Sequence, residues 1–293
     1  MKNDNIKKKI LKKFEKIDFQ NVNSKWDILL YALCFNKEKN LKITSNEWNY
    51  LIFNSNLKHV LNDGYNAFMI ILSKNQKDNL NFHEQTMNYL FKNSDLKQQN
   101  EIGMNAFMIA LSRNARENLH FKEYQWDYLM KNSDLGQQNE DGCNALMLAI
   151  ENYKKQELNF NTKQWDYLIK NSNLSQENKE SGTVFLYGLT YNEKNEIHLS
   201  LEQKKQLWVA LTEEQQQKQF QKVCTNFQNG LLKEKDILFM LYDLQFQPTK
   251  ETIDWLEGYQ YKIILKMLNN SRFFINLKED LFEKNDIIKR VKI

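Results

Sequence analysis

The sequence predicts an all-α protein, a helical-repeat solenoid of stacked helix-turn-helix units. Gly64, Gly103 and Gly142 are spaced 39 residues apart (103 − 64 and 142 − 103), and each is followed by x-Asn-Ala-(Phe/Leu)-Met. A second motif keeps the same step and begins at Trp48, Met87, Trp126 and Trp165. A fixed period of 20–50 residues is typical of solenoids. One proline and eight glycines in 293 residues also favour helices over a turn-rich β-fold.

The N-terminal segment, residues 1–24, is predicted to be a capping helix. Its apolar side chains recur on one helical face, at Ile6, Ile10, Phe14 and Ile17. Residues 1–16 hold seven lysines against Asp4 and Glu15, a net charge of +5 in a chain whose total is +4. Two interpretations follow. The apolar face seals the first repeat, or the basic helix lies on an anionic membrane surface.

Five repeats are predicted over residues 25–211. The first lacks its glycine, but residues 26–33 keep the register of residues 65–72. In repeats two to four, we expect glycine to supply a positive φ in the turn. The next asparagine (Asn66, Asn105 or Asn144) is expected to cap the first helix. The second helix should end at an Asn-Ser pair, where asparagine tolerates a left-handed conformation.

The remaining elements follow the same pattern less closely. Small residues such as Ala106 and Ala110 should let neighbouring first helices pack closely, and the tryptophans of the second helices should lie in the core. A fifth copy begins near Gly182, where matching the glycines gives a step of 40 and matching Gly188 to Ala149 gives 39. Residues 212–293 are predicted to be a degenerate repeat with a C-terminal helical cap.

Catalytic and metal-binding motifs are not found in the sequence. The three cysteines and four histidines show no metal-ligand spacing, and there is no phosphate loop and no GxSxG elbow. We therefore expect no enzyme activity, no cofactor and no metal. The sparse cysteines suit a reducing compartment. No run of 18 apolar residues and no signal-peptide h-region occur, so we expect a cytoplasmic protein without a transmembrane segment.

Residues 141–149, Asp-Gly-Cys-Asn-Ala-Leu-Met-Leu-Ala, resemble the start of an ankyrin repeat, Gly-x-Thr-Pro-Leu-His-x-Ala. Asn-Ala replaces Thr-Pro and Met replaces His, so the family's Thr–His hydrogen bond cannot form. The period is 39 residues rather than about 33, with six extra residues between the two helices. A HEAT or armadillo solenoid, with a period of about 40–47, is the alternative.

The resemblance implies a non-enzymatic protein–protein interaction scaffold or adaptor, with a protein partner whose identity the repeats do not encode. It also allows an effector of a host-associated bacterium, secreted into a host cell without a classical signal peptide. The alternative is a nucleic-acid or membrane-surface binder that uses the basic N-terminal helix. A nucleic-acid partner is less favoured, because neither a basic groove nor base-reading residues are evident.

Partner binding is predicted at positions that vary between copies and at a first-helix position that faces the groove in ankyrin-like proteins. The candidates are Tyr31, Asp63, Tyr65, Ile70, Ile102, Met104, Ile109, Asp141, Cys143 and Thr183. If exposed, Tyr31, Tyr65, Ile70, Met104 and Ile109 would form an apolar and aromatic interaction row. The alternative is that the isoleucines belong to the core.

Overall fold

The computed structural model describes residues 2–15, 27–74, 82, 84–117, 121–153, 160–192, 197 and 199–271. The regular secondary structure of these residues is helical, with no strand, and their one isolated β-bridge joins Val60 and Asn66. The predicted all-α helical repeat is confirmed. The chain forms two compact units, Met1–Lys179 and Glu180–Ile293. This division falls between the fourth and fifth predicted repeats.

Unit 1 contains an N-terminal helix followed by four helix pairs. The helices are α1 (Lys2–Phe14), α2 (Ile28–Phe35), α3 (Ser45–Asn54), α4 (Ala67–Lys74), α5 (Glu84–Asn93), α6 (Ala106–Glu117), α7 (Glu123–Asn132), α8 (Ala145–Asn152) and α9 (Thr162–Asn171). The first helices of the pairs, α2, α4, α6 and α8, pack side by side in one layer. The second helices α3, α5 and α7 pack in a second layer. The predicted six-residue insertions between the helices lie mostly outside the described residues.

Small residues line the contacts within the layer of first helices, as predicted. Ala106 and Ala110 on α6 are completely buried, and so is Ala149 on α8. Phe68 and Phe107, which follow the first alanine of α4 and α6, are also fully buried. The alanines allow the helices to approach closely, while the phenylalanines fill the space between the two layers.

Helix α1 covers the open end of the first repeat. Ile10 and Phe14 are buried, and α1 packs against α3. The Phe14 ring meets the edge of the Tyr31 ring at a centroid distance of 5.9 Å. These contacts support the capping interpretation, because they occupy the apolar face that a membrane-bound helix would need. Ile17 lies outside the described residues.

The second helices end at the predicted Asn-Ser pairs, but not with the predicted backbone conformation. Asn54, Asn93, Asn132 and Asn171 are each the last helical residue. In α9 the Nδ2 of Asn171 donates to the carbonyl of Tyr167 at 2.7 Å, and the following Ser172 is extended with φ −95°. The expected left-handed asparagine is therefore wrong. The amide side chain satisfies a terminal carbonyl while its own backbone remains helical.

Unit 2 begins with the fifth copy and continues with less regular helices. They are α10 (Val184–Asn192), α11 (Leu201–Val209), α12 (Glu213–Gln228), α13 (Glu234–Leu238) and α14 (Lys250–Gly258). A π-helical turn, Phe239–Asp243, extends α13, and residues 262–271 are again helical. Helix α12 packs against α10, α13 and α14 and is thus central to this unit. The predicted cap beyond residue 271 lies outside the described residues.

The start of the fifth copy follows a step of 39 residues. Ser181 lies 39 residues after Gly142 and has the same left-handed conformation, with φ +57° against +78°. Thr183 then takes the position of Asn144, before the first helix of its copy. The Thr183 hydroxyl accepts a hydrogen bond from the backbone N–H of Leu186 at 3.4 Å. The conformation of the turn is kept although its glycine is not.

Candidate protein-binding surface

Each internal repeat opens with the same hydrogen-bonded turn. In the third repeat, Gly103 N donates to the Asn100 carbonyl at 2.9 Å, and Asn100 N donates to the Met104 carbonyl at 3.1 Å. The Asn100 side chain accepts from Met104 N at 2.8 Å. Gly64, Gly103 and Gly142 have φ values of +79°, +73° and +78°. The predicted role of glycine in the turn is confirmed.

Glycine is also needed here because the turns stack closely on one another. A Cβ atom on Gly103 would lie 2.6 Å from the carbonyl oxygen of Gln138 in the next turn. A Cβ atom on Gly64 would lie 2.6 Å from the Cα atom of Asn100. Since these neighbours are backbone atoms, no side-chain rotation could relieve the clash. The glycines thus set the distance between successive repeats.

Backbone hydrogen bonds connect the stacked turns of unit 1. Three of them repeat at the 39-residue step: Glu101 N to the Asp63 carbonyl at 2.7 Å, Glu140 N to the Ile102 carbonyl at 2.8 Å, and Lys179 N to the Asp141 carbonyl at 2.8 Å. They involve no side chain. The turns therefore form a continuous backbone ladder whose side chains are free to vary.

The conserved asparagine of each internal copy joins two elements of its repeat. Asn66, Asn105 and Asn144 are completely buried. The Asn105 Oδ1 accepts from Met108 N at 3.0 Å, which caps α6. Its Nδ2 donates to the carbonyl of Asp134, beyond the end of α7, at 2.8 Å. The capping prediction is confirmed, and the side chain in addition fastens the start of the first helix to the end of the second.

Six of the ten predicted partner-binding residues are buried: Tyr31, Ile70, Met104, Ile109, Cys143 and Thr183. The exposed apolar row expected from the sequence is therefore not formed, and this expectation is corrected. The Tyr31 ring packs against Phe14 and against Phe35, the latter at a centroid distance of 4.8 Å. Ile70 and Ile109 belong to the packed layer of first helices, as the alternative interpretation held.

The other three buried candidates lie in the turns and at the start of the fifth copy. Met104 and Cys143 follow a turn glycine, and the side chain of Asn139 accepts from Cys143 N at 2.8 Å, as Asn100 does for Met104. Thr183 was assigned to this position by matching Gly182 to the earlier glycines. With the step of 39 residues it is a buried cap residue, and its hydroxyl donates to Gln219 Oε1 at 3.1 Å.

The four remaining candidates lie together on the stacked turns. Asp63, Tyr65 and Ile102 are half-buried, and Asp141 is exposed. The backbone N–H of Tyr65 donates to Asp63 Oδ1 at 3.2 Å. These residues are brought close to one another by the ladder, because the Asp63, Ile102 and Asp141 carbonyls are its acceptors.

Two exposed carboxylates of the turns, Glu101 and Glu140, were missed in the sequence. They lie two residues before the turn glycines, where Asn62 and Lys179 stand in the neighbouring copies. Comparison of the copies at this position could have identified them, because the residue varies while the turn does not. We define the turn surface as Asp63, Tyr65, Glu101, Ile102, Glu140 and Asp141. These six residues include four carboxylates, and the exposed Lys179 follows them at the end of the ladder.

The tryptophans of the second helices are core residues, as predicted. Trp48, Trp126 and Trp165 are buried. The Trp126 ring makes edge contacts with Phe121 and with Phe160, at centroid distances of 5.2 and 5.6 Å. A stacking platform for bases or sugars requires exposed rings. These buried rings instead connect the helices of adjacent repeats.

The cysteines are wholly or partly buried. Cys143 and Cys224 are buried, and Cys34 is half-buried. Burial raises the pKa of the Cys34 and Cys224 thiols, so little reactive thiolate forms near neutral pH. Within the part of the chain that the structure describes, no three His, Cys, Asp or Glu side chains are placed to hold a metal ion.

An aromatic cluster on unit 2 was also missed in the sequence. The ring of Trp255 lies 5.2 Å from Tyr259 and 5.2 Å from Tyr261, measured between centroids. Tyr259 is 65% exposed and stacks on Tyr261. The aromatic spacing Tyr259-Gln260-Tyr261 just after α14 is the signal that could have indicated it. The cluster is an exposed aromatic patch of unit 2.

No protein-family model matches the chain, and comparison with curated proteins finds no significant relative. Among the residues that the structure describes, none of the helices has the length and apolar character needed to cross a membrane.

Proposed function

We propose that this chain is a non-enzymatic protein-interaction scaffold of ankyrin type, acting in the cytoplasm, whose turn surface binds a basic segment of a partner protein. The observation that carries this proposal is the contrast within the turns. Their backbone ladder repeats from copy to copy, whereas their exposed side chains differ. In repeat proteins, surface positions that vary on a constant framework are the ones available for recognition.

Charge favours a basic partner. Asp63, Glu101, Glu140 and Asp141 come from three successive turns and concentrate negative charge along one row. Such a row attracts lysine and arginine side chains, accelerates association and disfavours acidic competitors. The half-buried Ile102, between Glu101 and the next turn, offers an apolar contact within this charged row.

The rigid backbone of the stacked turns also favours binding at the turn surface. The turns are held by backbone hydrogen bonds of 2.7–2.8 Å between repeats, and the glycines leave no space between them. A surface that is already ordered loses little conformational entropy when a partner docks. The turn surface is therefore better suited to recognition than the buried first-helix positions.

The test is affinity capture from a lysate of the source cell, and of its host where there is one, with the wild-type chain and the E101K/E140K variant. Bound proteins are identified by mass spectrometry, and binding is then measured with the purified partner. We expect a partner with a basic segment that the variant binds at least about tenfold more weakly, because two attractive contacts become repulsive.

The matched control is D254K/E257K, which changes the net charge equally at two exposed residues of α14 in unit 2. It should bind as the wild type does. Loss of the partner in the control but not in E101K/E140K would place the interface in unit 2, near the aromatic cluster, and would contradict the proposal. Capture of nucleic acid alone would contradict it as well.

A further inference from the structure

A basic cleft lies in unit 1 between α1 and the segment 39–47. Its volume is about 800 Å³, within the range of ligand pockets. Lys9, Lys12 and Lys13 of α1 line one wall, and Lys39 lines the other. We refer to this site as the lysine cleft. It shares no residue with the turn surface.

Two of the four lysines are engaged, and two are available for a ligand. The Lys13 ammonium donates to Glu47 Oε2 at 2.6 Å and to the Lys42 carbonyl at 2.7 Å. Lys39 forms an exposed ion pair with Glu38 at 2.8 Å. Lys9 and Lys12 are exposed and form no ion pair within the described residues. They therefore present uncompensated charge to the cleft.

Glu47 remains ionised and holds the two walls together. Although partial burial opposes it, hydrogen bonds from Lys13 and Thr44 keep the pKa of the Glu47 carboxyl below its ordinary value. Its Oε2 accepts from the backbone N–H of Thr44 at 2.7 Å, at the start of α3. With four lysines against Glu47 and Glu38, the partner of Lys39, the cleft and its rim have a net charge of +2 (4 − 2).

The opposite wall is held in an uncommon backbone conformation. Asn40 and Lys42 have left-handed φ values of +50° and +48°. The intervening Leu41 is buried, and its N–H donates to the carbonyl of Asn36 at 3.0 Å. Left-handed conformations of residues other than glycine persist only where the surroundings enforce them, and they are enriched at binding sites. Here they fix the rim that carries Lys39.

The packing of α1 determines what kind of ligand fits. Ile10 and Phe14 are buried against the first repeat, so the apolar face that they form is not available to a bilayer. Recognition must then depend on charge and hydrogen bonding. Lysine binds phosphate as a compact point charge with several donors.

We propose that the lysine cleft binds a compact anion that carries several phosphate groups, with Lys9 and Lys12 as the principal contacts. A net charge of +2, with four ammonium groups around the cleft, matches a ligand with more than one phosphate. The volume also accommodates a polyphosphorylated ring. Such a group occurs both in soluble polyphosphates and in the headgroups of phosphoinositide lipids.

The test is calorimetric titration of the full-length chain with inositol hexakisphosphate, at low and at raised salt. The variant K9Q/K12Q removes the two available lysines. The matched control K7Q/K8Q removes the same charge from two exposed lysines of α1 that do not line the cleft. We expect K9Q/K12Q to weaken binding about 25-fold, at about fivefold per lysine, and K7Q/K8Q to weaken it less than about threefold.

A second arm distinguishes the source of the phosphates. Phosphatidylcholine vesicles with and without phosphatidylinositol bisphosphate are tested by sedimentation with the same variants. Binding to the phosphoinositide vesicles that is lost in K9Q/K12Q indicates a lipid headgroup, and binding only to the soluble probe indicates a free polyphosphate. The absence of binding to both probes, or equal weakening by the two variants, would overturn the proposal.

Discussion

Substitution of the asparagine at the start of an internal repeat tests how the two helices of that repeat are held together. Asn105 is completely buried. Its Oδ1 accepts from Met108 N at 3.0 Å, while its Nδ2 donates to the Asp134 carbonyl at 2.8 Å and to Gln137 Oε1 at 2.9 Å. The substitutions N105A and N105D separate these functions. Alanine removes all three bonds, whereas aspartate keeps the acceptor and loses the donors.

The expected magnitudes follow from the bonds lost. Removing the cap of α6 costs about 1 kcal/mol, and the two amide bonds contribute about 0.5–1.5 kcal/mol each. N105A should therefore lower the free energy of unfolding by about 2–4 kcal/mol. Aspartate is as good a helix cap as asparagine, and its charge is favourable at a helix N-terminus. However, its carboxylate would face the Asp134 carbonyl, so N105D should still cost about 2–3 kcal/mol.

The assay is urea unfolding followed by far-UV circular dichroism. The control is N132A, which removes one exposed amide bond, from Asn132 Nδ2 to the Tyr128 carbonyl at 2.8 Å. This surface change should alter the free energy of unfolding by no more than about 0.5 kcal/mol. If N105D were as stable as the wild type, the amide bonds between the helix ends would contribute nothing, and the role assigned to Asn105 beyond capping would be refuted.

Three further predictions concern the turn, the thiols and the α1 contact. G103A should destabilise the protein by about 2 kcal/mol or more, because alanine is strained at positive φ and its Cβ would collide with the backbone of the next turn. The control is G258A, whose added Cβ has nothing within 4 Å and which should be neutral or stabilising in the same urea assay. In native protein at about pH 8, a thiol reagent should label Cys34 before Cys224. Burial raises the pKa of both thiols, but the Cys34 side chain is the more accessible. Equal labelling rates of the two cysteines would contradict this prediction. The pKa of Glu47 in the folded protein lies below its ordinary value of 4.5, so the ionised carboxylate stabilises the fold fully above pH 4.5. The difference in the free energy of unfolding between wild type and E47Q should therefore shrink as the pH falls through the folded-state pKa. A difference that does not change with pH would disprove this role of Glu47.

The repeat framework could be predicted from the sequence because the same residues recur in each internal copy, at a step of 39 residues. A glycine recurs at the same position of each internal copy, at Gly64, Gly103 and Gly142, so its role in the turn could be inferred from the sequence. The structure shows that all three have a positive φ and a close backbone neighbour. Asn105 recurs before a helix and could be recognised as a cap. Its second bond, to the carbonyl of Asp134, could not be predicted. That bond joins atoms 29 residues apart, and its existence depends on how the two helices meet.

Exposure was harder to predict than conformation. Met104 and Cys143 vary between copies, and variation suggested a surface position. Both side chains are buried in the structure, in turns where an asparagine side chain also accepts from their backbone N–H. Only the three-dimensional turn shows this. Thr183 was misplaced for a different reason. The glycine was used to set the register, whereas the structure keeps the left-handed conformation at Ser181 and changes the residue.

The cap position of the first copy and that of the fifth copy differ from the asparagine of the internal copies. Asp27, 39 residues before Asn66, still caps α2 through Leu30 N at 2.8 Å, but a carboxylate has no amide donor for the second bond. Thr183 also lacks the amide, and the Nε2 of Gln219 instead donates to the Ser181 carbonyl at 2.9 Å. The cap bond is therefore kept at both positions, whereas the second bond of the asparagine is not. The ladder between turns uses backbone atoms alone, so an exposed position such as Glu101 can change without weakening it. This difference leaves the turn surface as a part of unit 1 whose side chains can change at little cost to the fold.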